Sequence, residues 1–176
     1  MKKFSDGSKV LLSRPQIQSR VTQLAKELDR YYRGKHVVVI AILNGSVIFL
    51  ADLLKKMKTP LSFDCVSASS YGRRTRSSGR VLFHPHLKIE VRDAHVLLVD
   101  DILDTGRTLA RIVRFFKSLH PASVETCVLL RKRVRRAARV SARFVGFDIP
   151  NHFVFGYGLD IAERFRNLPY IAFKPE

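Results

Sequence analysis

The sequence predicts an α/β fold: a mostly parallel, twisted sheet flanked by helices. Two kinds of segment carry that expectation. Val37–Leu43 and Val96–Val99 are continuous apolar runs, too short for helices and without polar alternation, as strands buried on both faces read. Ser13–Tyr32 and Thr105–Leu119 instead place their apolar residues on a helical period. Strand and helix patterns alternate along the chain, as the crossover units of a parallel sheet require.

The first helix carries Ile17, Val21, Leu24, Ala25, Leu28 and Tyr31 on one face, with Ser13 as its candidate N-cap, Pro15 in the first turn and Gly34 beyond the end. Val37–Leu43 follows as a buried strand, closed by the Asn44-Gly45 turn signal. Ser46 is expected to cap a helix reaching about Met57. Leu61–Ala68 reads as a strand and Ser69–Arg80 as a polar loop. Val81–Phe83 and Leu87–Val91 are expected to pair as short strands around His84-Pro85-His86. The Thr105–Leu119 helix groups Leu109, Ile112, Val113, Phe116 and Leu119, stops at His120-Pro121, and is followed by a strand at Val124–Leu130. Arg131–Arg143 is a basic connector, Phe144–Phe147 a short strand and Phe153–Tyr157 an aromatic one, with short elements up to Tyr170–Phe173. Neither a repeat nor a low-complexity tract interrupts this order.

A length of 176 residues fits one domain with a sizeable core, and the 46% hydrophobic content excludes a disordered chain. Cys65 and Cys127 each sit in an apolar run, without metal-ligand spacing and too few for a disulfide framework. They point to a reduced, cytoplasmic compartment. The basic N-terminus lacks the apolar stretch of a signal peptide. The most apolar window, Val37–Leu54, is broken by Asn44-Gly45-Ser46, so no membrane span is expected. The charge is unusual: 32 Lys+Arg against 15 Asp+Glu give +17. Such a balance suits a nucleic-acid binder, and it also suits an enzyme that takes a polyanionic small substrate. Two classes follow, a transferase acting on a phosphorylated sugar and an RNA-binding regulator.

The chemistry concentrates in Val96–Leu109, VLLVDDILDTGRTL. An apolar strand ends there in Asp100 and Asp101, and Asp104 precedes Thr-Gly-Arg-Thr at a helix start. Ligands of open α/β sheets sit beyond the carboxyl ends of strands. The helix start offers unpaired N–H groups and a positive dipole end, which suit a phosphate. Gly106 permits close backbone approach, and Thr105 and Thr108 add hydroxyl donors. Asp100 and Asp101 are placed to accept from adjacent sugar hydroxyls or to hold Mg²⁺ through water. A lone Asp-Thr-Gly is as readily a plain helix cap. Three carboxylates between a buried strand and a phosphate-type turn favour the site.

These residues resemble the phosphoribosyl pyrophosphate (PRPP) signature of type I phosphoribosyltransferases. Other blocks are similar to the hypoxanthine-guanine members of that family: Leu43-Asn44-Gly45-Ser46 resembles their pyrophosphate loop, and Ser69-Ser70-Tyr71-Gly72 their lid. Leu129-Leu130-Arg131-Lys132-Arg133 resembles the purine-contact strand, and Phe144–Asp160 the base-binding hood. The likeness runs in order from about Val10 to Phe173. It implies a single domain over residues 1–176, with a core of about 13–143 and a hood from about 1–12 and 144–176.

The resemblance also implies roles. The backbone from Asp104 through Thr105, Gly106 and Arg107 to Thr108 would hold the 5′-phosphate. Asp100 and Asp101 would take the ribose hydroxyls and Mg²⁺, and Asp104 would be the general base for the purine N7 proton. Leu43, Asn44, Gly45 and Arg166 would bind pyrophosphate; many relatives carry Lys where this chain has Asn44, and the first peptide of that loop can be cis. Lys132 would donate to the purine 6-oxygen, selecting 6-oxopurines over adenine. Phe153 would stack on the base, the Val154 carbonyl would read its 2-position, and Asp160 would hold a second Mg²⁺ through water. Ser70 and Tyr71 would close as a lid that excludes solvent. Implied partners are PRPP and a 6-oxopurine, in a homodimer or homotetramer.

Taken alone, Lys132 is one more charge in a basic run, Phe153 one more core aromatic and Asn44-Gly45 an ordinary turn. Arg131–Arg143 holds seven basic residues and no acid, and Arg73, Arg74, Arg76 and Arg80 form a second cluster. A solvated face, attraction of an acidic substrate, and nucleic-acid binding all account for such clusters. The rival class is therefore a pyrimidine-operon-type RNA-binding regulator of the same superfamily. Lys132 and the hood speak against it, so nucleic acid is not the expected partner. Adenine and uracil phosphoribosyltransferases share the PRPP motif but give no reason for Lys132 and Phe153.

Overall fold

The computed structural model describes residues 7–70, 81–84, 87–134 and 137–175. In chain order these form β1 (Lys9–Leu12), α1 (Arg14–Tyr31), β2 (Val37–Leu43), α2 (Val47–Leu54), β3 (Leu61–Ser70) and β4 (Val81–His84). There follow β5 (His95–Leu103), α3 (Arg107–Lys117), β6 (Ser123–Lys132), β7 (Phe144–Ile149), β8 (Val154–Phe155) and β9 (Ile171–Phe173).

The main sheet has six strands in the order β4-β3-β2-β5-β6-β7. All neighbours run parallel except β4, which lies antiparallel to β3 at the edge. The expected mostly parallel sheet is therefore present. Alternation within strands divides the core in two. Val37, Val39, Ala41, Leu97 and Val99 face α1 and α2, where Ile17, Val21, Leu24 and Phe49 are buried. Val38, Ile40, Ile42, Val96 and Leu98 face α3 and its Leu109, Ile112 and Phe116. With both faces covered, the strands have no polar side to show, hence the unbroken apolar runs. Phe116 is fully buried. Phe116→Ala is expected to cost about 3–5 kcal/mol, read as a lower urea midpoint at unchanged slope.

Local chemistry sets the helix ends. At the start of α1, Gln16 Oε1 accepts from the Ser13 N–H at 2.9 Å and from its hydroxyl at 2.7 Å. Gly34, with φ of 73°, turns the chain away after α1. Ser46 departs from expectation. Its hydroxyl donates to the Ile42 carbonyl at 2.6 Å and its backbone is already helical, so it makes no side-chain cap. α2 ends at Leu54, short of Met57, because the N–H groups of Lys56 and Met57 both converge on the Leu53 carbonyl. Gly106, at φ 79°, cannot be helical, so α3 begins at Arg107 and not Thr105.

Leu87–Val91 forms no strand. The Lys88 N–H donates instead to Asp64 Oδ2 at 2.7 Å, pinning the segment to the side of β3, and Val81–His84 pairs with β3 itself. The expected aromatic strand shrinks to Val154–Phe155, leaving Phe153 outside. Lys9–Leu12, which no strand pattern flagged, pairs with β9 to make a second, three-stranded antiparallel sheet in the order β1-β9-β8. It joins the two chain ends, and the segments expected to build a hood. Tyr71 and most of the Ser69–Arg80 loop lie outside the described residues. Among the described residues no helix is long and apolar enough to cross a membrane.

Candidate active site

β2 and β5 are neighbours, but their following helices leave in opposite directions, α2 to one face of the sheet and α3 to the other. The divergence opens a crevice beyond the carboxyl ends of those two strands, the usual ligand position in such sheets. A cavity of about 580 Å³ occupies it. Leu43, Asn44 and Gly45 line it after β2, Asp100 and Asp101 from β5, and Asp104, Thr105, Gly106 and Thr108 from the turn into α3. Asp160, Glu163 and Arg166 close the hood side.

The turn suits an anion. α3 has no acidic residue in its first turn, so the positive end of its dipole is uncompensated within the helix. Gly106 takes the left-handed conformation, and a methyl there would meet Val140 at 2.7 Å. The connector after β6 braces the turn, since the Ala137 N–H donates to the Thr105 carbonyl at 3.0 Å. Across the cavity the Leu43–Asn44 peptide is cis. Gly45 packs so closely on Asp101 that a Cβ would overlap the carboxylate, and Gly158 presses as tightly on the Gly45 carbonyl.

Asp100 and Asp101 are adjacent and enclosed. Burial, with the Asp101 charge second, pushes the Asp100 carboxyl well above the usual range. Burial raises Asp101 too, against the opposing pull of hydrogen bonds and Arg166. Two carboxylates held out of water with too little positive charge suit a hard cation. Magnesium takes one or two protein carboxylates and keeps water or substrate oxygens for its other positions. Among the described residues no third His, Cys, Asp or Glu joins them to form a closed cage.

The hood segment is held in unusual backbone. Ala162, Glu163 and Phe165 have φ of 50°, 64° and 74°, between Gly156 and Gly158 on one side and Arg166 on the other. Left-handed non-glycine residues are costly and concentrate at sites whose geometry must be fixed. Here they aim Asp160, Glu163 and Arg166 together. Arg166 lies 2.9 Å from Asp160 and 2.8 Å from Glu163, and it also donates to the Gly158 carbonyl at 2.8 Å.

Lys132, at the end of β6, points its ammonium at Asp104, Nζ to Oδ2 3.0 Å, with its side chain only 11% exposed. It is no loose surface charge. Arg131 forms a two-bond pair with Asp148 at 2.6 and 2.8 Å, and Arg143 lies 4.4 Å above the Tyr31 ring and 3.8 Å from Glu125. Part of the basic connector is thus spoken for within the fold. Lys132, Arg107, Phe153 and Val154 do not line the cavity: Lys132 pairs with Asp104, which does, Arg107 is exposed on α3, Val154 is buried in β8, and Phe153 is 60% exposed at the hood. Glu163 and Gly158 were missed by sequence reasoning. Glu163 is one of several charges in a loop without periodicity, and Gly158 stands in a Gly-Tyr-Gly triplet that by itself names no partner.

A helix-start turn suited to an anion and a pair of enclosed carboxylates thus share one crevice. The phosphoribosyl transferase domain family matches residues 7–162. The hypoxanthine-guanine phosphoribosyltransferase of Bacillus subtilis (strain 168) is 43% identical over 167 residues, covering 95% of this chain and 93% of that protein. The bifunctional protein TilS/HprT of Listeria monocytogenes (serotype 4b) is 43% identical over 98% of this chain, which spans only 27% of that longer relative. The crystal structure of a Bacillus anthracis hypoxanthine-guanine phosphoribosyltransferase superposes with a TM-score of 0.88 at 40% identity, covering 95% of this chain and 98% of that one. The chain belongs to the phosphoribosyltransferase family, in its hypoxanthine-guanine branch.

Proposed function

We propose that the protein is a purine-salvage enzyme, transferring phosphoribose from PRPP to N9 of hypoxanthine or guanine with release of pyrophosphate. The observation that carries this reading is the Lys132–Asp104 pair at 3.0 Å, which joins the purine-contact strand to the PRPP turn. A base donor and a proton acceptor thereby share one edge of the phosphoribosyl site.

The turn from Asp104 to Thr108 holds the 5′-phosphate by N–H groups and hydroxyls. Asp100 and Asp101 accept from the ribose hydroxyls, and their charge favours the positive character that develops at C1 as the pyrophosphate bond breaks. Mg²⁺ on these carboxylates, with a second ion near Asp160, would neutralise the leaving pyrophosphate. Leu43, Asn44, Gly45 and Arg166 position that leaving group. As N9 bonds to C1, Asp104 accepts the proton that the base sheds from N7. Lys132 donates to the 6-oxygen; adenine presents a donor at that position and is refused. Phe153 stacks on the base and the Val154 carbonyl reads its 2-position. Ser70 and Tyr71 form the lid, a role carried by resemblance alone. The same resemblance supports a cytoplasmic homodimer or homotetramer.

Purified protein with PRPP and Mg²⁺ tests the reading. Saturable formation of IMP from hypoxanthine or GMP from guanine is expected, with one pyrophosphate per nucleotide. Absence of product from both bases, with tight and steeply salt-dependent RNA binding, would favour the regulator instead.

A further inference from the structure

α1 and α2 end side by side at the amino-terminal edge of the sheet, opposite the reaction cavity. Between them and the start of β3 a second concavity of about 710 Å³ opens. Lys26, Arg30 and Arg33 line it from α1 and the turn beyond, and Lys56 and Lys58 from the connection after α2. Its one carboxylate is occupied. Asp29 Oδ1 accepts from the N–H groups of Lys58 and Thr59, both at 2.9 Å, and from the Thr59 hydroxyl at 2.8 Å. Among the described residues none of the five cationic side chains makes an ion pair.

The negative ends of the helix dipoles explain only part of this. A dipole attracts cations within its last turn, which covers Arg30 but not Lys26, a turn further back, nor Arg33 and Lys58, beyond the ends of α1 and α2. Lys26 and Arg30 are four residues apart on α1, a spacing at which like charges share one helix face and repel. The fold tolerates that repulsion around a concave surface of small-molecule size. A bound polyanion would relieve it.

We propose that this concavity binds a compact polyphosphate, either the triphosphate of a nucleoside triphosphate or free inorganic polyphosphate. The cations take the phosphate oxygens by charge-assisted hydrogen bonds. Asp29 keeps Lys58 and Thr59 in place as the wall.

Isothermal titration tests this, with tripolyphosphate and ATP as separate probes, without Mg²⁺, and with GMP filling the reaction cavity. One saturable equivalent of tripolyphosphate per chain is expected. Arg30→Gln/Lys56→Gln should weaken it by roughly tenfold or more, while Lys9→Gln on β1 leaves it unchanged. Tighter binding of ATP would assign the site to a nucleotide, and equal or weaker binding to the free polyphosphate. Thermal melting and an unchanged transferase rate verify that the double variant is folded. Lack of saturable binding, equal affinity of the double variant and the parent protein, or binding of an oligoribonucleotide alone would overturn the proposal. Should GMP itself give no heat, the proposed function fails separately, and the variant comparison without GMP still decides this site.

Discussion

Asp104→Asn is expected to lower kcat by roughly 10²–10⁴ while PRPP affinity stays near that of the parent enzyme. Asparagine keeps the shape of the turn and the cradle of N–H groups from Asp104 to Thr108, so the 5′-phosphate should still be held. What it lacks is a basic oxygen for the purine proton. The variant also removes the negative partner of Lys132, at 3.0 Å. The Asp104 side chain is 44% exposed, so that pair contributes at most about 1 kcal/mol and the variant should remain folded. Steady-state kinetics together with direct titration of PRPP separate the effects. A large loss of PRPP affinity at nearly unchanged kcat would reassign Asp104 from proton transfer to substrate binding.

Gly45→Ala should lower kcat/KM by about 10²-fold or more, through a methyl group that touches no substrate. The space the methyl needs is already occupied by the Asp101 carboxylate. Either the Asp101 carboxylate swings out of the place proposed for ribose and metal binding, or the loop at Leu43–Gly45 retreats from β5. The loop cannot retreat freely, because Gly158 packs on the Gly45 carbonyl from the hood side. Overpacking of this kind costs about 1–3 kcal/mol of stability, which a folded domain can absorb. Activity should therefore collapse in a protein that still unfolds cooperatively, as circular dichroism against urea would report. Near-normal kinetics would mean that Asp101 does not need its position.

The parts of the fold legible in the sequence were those fixed by local physics. The α1 face, the buried runs of β2 and β5 and the turn at Gly106 each write their own pattern. Less legible were elements made by distant partners. Lys9–Leu12 becomes a strand only because Ile171–Phe173 lies beside it, and Leu87–Val91 loses its strand because Asp64 captures Lys88. The site divides the same way. Asp100, Asp101, Asp104 and Thr105 fall within one short segment and stand out together. Lys132, by its own pattern one cation among seven, is singled out in the sequence only by family resemblance, and β6 carries its ammonium to Asp104. Glu163 escaped notice because its place depends on a left-handed backbone that no residue type announces, φ 64° at a glutamate.

The proposed activity requires a 6-oxopurine site attached to a PRPP cradle. One competition measures that directly: hypoxanthine, guanine, xanthine, adenine and uracil in equal amounts, with PRPP, Mg²⁺ and the purified protein, and the nucleotides resolved chromatographically. A site built around a lysine donor to the 6-oxygen predicts IMP and GMP, with AMP suppressed by roughly 10⁴-fold or more and UMP absent. AMP or UMP as the main product, or no nucleotide from any 6-oxopurine, would contradict it.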